Sequence, residues 1–108
     1  MNAEHVFTDS NFETLVGRGV ALVDFWAPWC TPCRLQGPIV EKTAEKFQGQ
    51  AVIGKMNVDE NPEAPRRFGV KAIPTLILFR DGREVTRLTG LQQEGALAQA
   101  LEQALGSN

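Results

Sequence analysis

The chain has 108 residues, 43% hydrophobic and 22% charged. That composition fits one compact domain over 1–108 and excludes a disordered or fibrous chain. A net charge of −2 with both signs scattered lacks the basic footprint of a nucleic-acid binder, and no apolar run approaches a membrane span. The opening Met1-Asn2-Ala3-Glu4-His5 has no basic region and no apolar stretch behind it, so no signal peptide is expected.

Val6-Phe7 begins a short edge strand. Thr8 or Asp9 can cap a helix carrying Phe12, Leu15 and Val16 on one face, and Ser10-x-x-Glu13 has the capping-box form. Gly17 and Gly19 end it. Residues 20–27 are almost entirely apolar, as a strand covered on both faces must be. A helix from about Thr31 to Phe47 follows, with Leu35, Ile39, Thr43 and Phe47 at four-residue steps and Pro38 inside, where a kink is expected. Residues 51–58 form another apolar strand.

Asn61-Pro62 gives a cap and a first-turn proline for a short helix ending at Gly69, with Arg66-Arg67 at its solvated end. Segments 75–79 and 84–89 flank Asp81-Gly82, a strong hairpin turn. A last helix carries Leu97, Leu101, Ala104 and Leu105 on one face. The order β-α-β-α-β-α-β-β-α predicts an α/β fold with a central mixed sheet and helices on both faces.

The chemistry concentrates in Cys30-Thr31-Pro32-Cys33, which opens a helix directly after a buried strand. One helical turn separates the sulfurs, so they face the same way and can close a small ring. Cys30 sits at the helix N-terminus, where free amides and the dipole stabilise a thiolate. It is therefore the expected nucleophile, with Cys33 as the covered resolving thiol. A half zinc site lacks ligands, since His5 is the only other soft candidate. A structural disulfide over so small a loop removes little chain entropy. Two unrelated core cysteines do not fit the strand-to-helix context. Redox chemistry is the reading that remains.

Asp24 lies among Leu22, Val23, Phe25 and Trp26, where desolvation raises a carboxyl pKa. It can accept the Cys33 proton when that thiol attacks a mixed disulfide. Lys55, set in its own apolar run, is the expected partner for Asp24. Trp26 is read as core, whereas Trp29 sits in the loop before Cys30 and suits a docking surface. Pro74 follows Ile73 just before a strand, and a cis fraction of only about 5–6% for X–Pro bonds argues trans.

Over roughly Val6 to Gly106 the sequence resembles the thioredoxin family. The resemblance rests on Val23-Asp24-Phe25-Trp26-Ala27-Pro28-Trp29-Cys30, Cys33 with Gly37-Pro38, Asn57-Val58-Asp59, Ile73-Pro74-Thr75, Phe79 with Asp81-Gly82, and Gly90. It implies that Pro74 is cis, leaving the Ile73 backbone free to pair with an extended substrate, with Trp29 and Gly90 lining the same groove. It also implies a cytoplasmic, monomeric reductant of protein disulfides that needs no bound cofactor or metal and is re-reduced by an NADPH-driven flavoenzyme, a thioredoxin reductase. Asp24 would assist Cys33, with Lys55 as its neighbour.

The family's usual motif has glycine between the first cysteine and the proline, and this chain has Thr31. Thr31 and Pro32 are thus the positions expected to tune the potential. A hydroxyl beside Cys30 favours the reduced form, while a stiffer turn favours the disulfide. Arg34 replaces a common lysine, and Ala72 a frequent glycine or serine. Two rival functions follow from the same residues: a disulfide isomerase or oxidant, and a redox-independent binding module using the Trp29–Pro74 surface.

Overall fold

A computed structural model describes residues 3–106, and its elements follow the expected order: β1 (His5–Val6), α1 (Phe12–Val16), β2 (Val20–Trp26), α2 (Thr31–Lys46), β3 (Ala51–Asn57), α3 (Glu63–Arg67), β4 (Thr75–Arg80), β5 (Arg83–Thr89) and α4 (Glu94–Gly106). Met1 and Asn2 of the N-terminal reading lie outside the described residues. The strands form one sheet in the order β1-β3-β2-β4-β5. β1, β3 and β2 run parallel, and β4 and β5 add an antiparallel hairpin.

Strand alternation divides the core in two. Val20 and Leu22 of β2 join Val40, Ala44 and Phe47 of the α2 segment and Leu97 and Leu101 of α4. Ala21, Val23 and Phe25 point the other way, onto Phe12 and Val16 of α1 and Ala64 of α3. This is why β2 reads as a continuous apolar run. Gly54 faces His5 across β1 and β3, and a Cβ there would overlap the His5 carbonyl. Only glycine lets β1 dock.

The hairpin turn has Asp81 and Gly82 both at positive φ, 50° and 84°, the pattern that matches strand twist. Asp81 is further fixed by accepting the Gly19 N–H on its Oδ1 at 2.8 Å. Helix α2 runs unbroken past Pro38. Its buried stripe is Cys33, Gln36, Gly37, Val40, Thr43 and Ala44, and Leu35 is 59% exposed. The second half of the predicted stripe, Thr43 and Phe47, is buried as expected; in the first half Leu35 is exposed and Ile39 only partly buried, with Gln36 and Val40 buried in their place.

Of the two residues read as caps for α1, Thr8 closes the turn that leads into it: its Oγ1 accepts the Asn11 N–H at 3.2 Å, Asn11 Oδ1 accepts the Thr8 N–H at 2.7 Å, and the Thr8 carbonyl accepts the Phe12 N–H. The capping box is thus Thr8–Asn11 and not Ser10–Glu13. Ser10 pairs with the Thr8 hydroxyl, and Glu13 pairs with Arg67, whose guanidinium also covers the Phe68 ring. Asp9 caps α3 across the chain: its carboxylate accepts the Glu63 and Ala64 N–H groups at 3.2 and 3.3 Å. Asn61 supports that arrangement by accepting the Asp9 N–H at 2.9 Å. Asp9→Ala is expected to lower stability by about 1 kcal/mol, the usual cost of a lost cap, read from urea unfolding midpoints.

Candidate active site

Strand β2 ends at Trp26, three loop residues follow, and Cys30 becomes the N-cap of α2. Cys30 and Cys33 form a disulfide with their Cα atoms 5.2 Å apart. Pro32 occupies the first turn, where its missing N–H leaves no helical bond unmade. The Cys33 N–H donates to Cys30 Sγ at 3.3 Å. Cys30 Sγ thus sits on the positive end of the helix with a backbone donor aimed at it, the setting that favours a thiolate. Exposure separates the cysteines less than expected, 5% for Cys30 against 2% for Cys33. Their difference lies in the donor that Cys30 receives. The Thr31 hydroxyl accepts from Arg34 at 3.4 Å, so its observed partner is the guanidinium.

Asp24 continues the face of Val20 and Leu22, the α2 side of the sheet, and is fully buried. Neither of its carboxyl oxygens has a hydrogen-bond partner among the described residues. Burial pushes its pKa from 3.8 up to about 7; the Lys55 ammonium pulls it down and the Glu4 carboxylate pushes it up. Lys55 lies opposite Asp24 in the β2–β3 register. Its ammonium is not bonded to Asp24, however. It stands 3.6 Å from Glu4 and 5.7 Å from the Trp26 ring centre, so Lys55 acts on Asp24 through space. Trp26, read as core, is only partly buried.

Trp29 is 67% exposed, its indole N–H donating to Asp59 at 3.0 Å. The Ile73–Pro74 peptide is cis, as the resemblance implied and the base rate did not. The Ile73 carbonyl lies 3.7 Å from Cys30 Sγ. Gly90, at φ 87°, donates its N–H to the Pro74 carbonyl at 2.8 Å. Trp29 and Ile73 are therefore linked directly to the cysteine pair, Pro74 through Ile73, and Gly90 through Pro74 and Ile73. Sequence reasoning missed Glu4, Asp59 and Gln36. Only Asp59 carried a signal, as the last residue of Asn57-Val58-Asp59.

A cysteine pair opening the helix that follows the central strand of a mixed sheet, beside a cis-proline loop, defines a thiol–disulfide oxidoreductase. The thioredoxin family model matches residues 3–103. A thioredoxin of Staphylococcus saprophyticus is 47% identical over 98 residues, covering 91% of this chain and 94% of its own. One from Staphylococcus aureus is 45% identical over the same shares. A crystal structure of a Malassezia sympodialis thioredoxin superimposes with TM-score 0.88 at 28% identity, covering 98% of this chain and 94% of its own. The chain belongs to the thioredoxin family, and is a dithiol carrier of the protein-disulfide reductase type.

Proposed function

We propose that this chain, as one domain, reduces disulfides of cytoplasmic proteins and is returned to the dithiol by an NADPH-driven flavoenzyme reductase. The Cys30 thiolate attacks one sulfur of the substrate disulfide, forming a mixed disulfide and releasing the other substrate sulfur as a thiol or thiolate. Cys33 then loses its proton to Asp24 and attacks Cys30, forming the Cys30–Cys33 bond and releasing the second substrate sulfur. Two electrons pass to the substrate. Lys55 tunes Asp24, Thr31 and Pro32 tune the couple, and Trp29, Ile73, Pro74 and Gly90 receive the substrate backbone.

The Cys33 N–H directed at Cys30 Sγ at the start of α2 is the observation that supports this reading most. Among the described residues no helix is long and apolar enough to cross a membrane. The test is the equilibrium of the Cys30–Cys33 couple against a thiol–disulfide buffer. A potential at or below about −250 mV is expected of a general reductant, whereas one near about −180 mV would assign the chain to isomerase-type exchange.

A further inference from the structure

Gln36 is fully buried on the sheet-facing side of α2, three residues after Cys33, in a stripe that otherwise packs a core. Burying a primary amide is costly unless it is bonded. Gln36 makes two bonds, both to one residue. Its Nε2 donates to the Gln92 carbonyl at 3.0 Å, and its Oε1 accepts the Gln92 N–H at 2.7 Å. The side chain thus stands in for one residue of a neighbouring strand, at a segment between β5 and α4 that has no ladder of its own.

Those bonds complete a circuit. The Gln92 side-chain amide donates to the carbonyls of Thr89 and Gly90, each at 3.3 Å. Gly90 donates in turn to Pro74, and the adjoining Ile73 carbonyl lies against Cys30 Sγ. Cys30 caps the same helix that carries Gln36. Leu35 and Leu91, the residues just before the two clamped ones, are both exposed, at 59% and 39%. The clamp therefore ties α2 to the segment after β5 at a point where each carries an exposed leucine.

We propose that Gln36 is a positioning residue for substrate selection: it sets the spacing between the catalytic helix and the Gly90–Gln92 wall, and so favours disulfides embedded in an extended peptide over small ones. The inference rests on the disulfide-reductase reading above. A small disulfide has only to present a sulfur to Cys30. A peptide disulfide must also lay its backbone along the wall, and that interaction depends on the wall being held. An apolar residue at 36 leaves the Gln92 N–H and carbonyl unpaired, and they turn to water.

The experiment compares wild type with Gln36→Leu, reducing 2-hydroxyethyl disulfide and a synthetic extended peptide dimer linked by one disulfide. In the variant the ratio of kcat/KM for peptide over small disulfide is expected to fall about tenfold, a loss of the size carried by a buried hydrogen-bonded group. The loss should fall on KM for the peptide. Amide exchange at Gln92 should quicken in parallel. Should Gln36→Leu fail to fold, Gln36→Met, unbranched and closer in shape, carries the same comparison. An unchanged ratio in a folded variant overturns this inference and leaves the reductase reading standing. A wild type that reduces neither disulfide overturns both.

Discussion

Cys33→Ser is expected to turn the protein from a catalyst into a trap. Cys30 remains at the helix N-cap, with the residue-33 N–H still a backbone donor toward its sulfur, so the first attack proceeds. The mixed disulfide then has no internal thiol to resolve it, because Cys33 was the only other cysteine in the chain. Covalent adduct should accumulate stoichiometrically with a disulfide substrate and be released by added small thiol, which mass spectrometry of the intact protein reads directly. Cys30→Ser should give neither adduct nor turnover. The remaining Cys33 sits inside the helix and lacks the backbone donor that Cys30 receives at the N-cap. Steady turnover by Cys33→Ser, or adduct formation by Cys30→Ser, would reverse the assigned roles. The serine is close to isosteric in both variants, so far-ultraviolet circular dichroism should remain that of the parent.

The residues proposed to carry this chemistry were legible because each is out of place locally. A cysteine pair one turn apart after a buried strand, and a carboxylate inside an apolar run, are anomalies that chemistry explains. The fold was legible for a similar reason: β2 shows no alternation, and only a strand covered on both faces does that. What stayed hidden depends on partners remote in sequence. Asp9 lies 54 residues from Glu63, whose N–H it accepts, and nothing local distinguishes it from a cap for the helix beside it. Gln36 is 56 residues from Gln92. A glutamine beside a leucine reads as the solvent side of a helix, and here the leucine is exposed instead, because a backbone segment needed an amide. Lys55 was expected to partner Asp24; it lies opposite Asp24 in the sheet, but its ion-pair partner is Glu4, just before β1. Pro74 shows the limit of base rates, since the cis bond follows from a family's motif and not from the dipeptide.

Asp24→Asn is expected to remove both a step of catalysis and a pH dependence of stability. The folded carboxyl has a pKa of about 7, against 3.8 for the ordinary group, chiefly because burial penalises its charge. Below about pH 4 it is protonated in both states and costs nothing. Between pH 4 and 7 the unfolded chain releases the proton while the folded chain holds it, so stability falls as pH rises. Above pH 7 both states are ionised and the penalty is constant, on the order of 4 kcal/mol from a rise of about three units. Urea unfolding of the oxidised protein at pH 4 and pH 8 should therefore show the variant gaining on wild type by this order. Equal gains at the two pH values would mean that Asp24 is not the titrating group. In turnover the variant should lose about 100-fold near pH 7, the lower range for a general base. The deficit should shrink at higher pH, where Cys33 ionises without help. Lys55→Met should move the Asp24 midpoint upward, because the ammonium is the charge that opposes desolvation. A carboxyl-carbon NMR titration measures that shift, and a midpoint that fell would require a different neighbour to be holding Asp24.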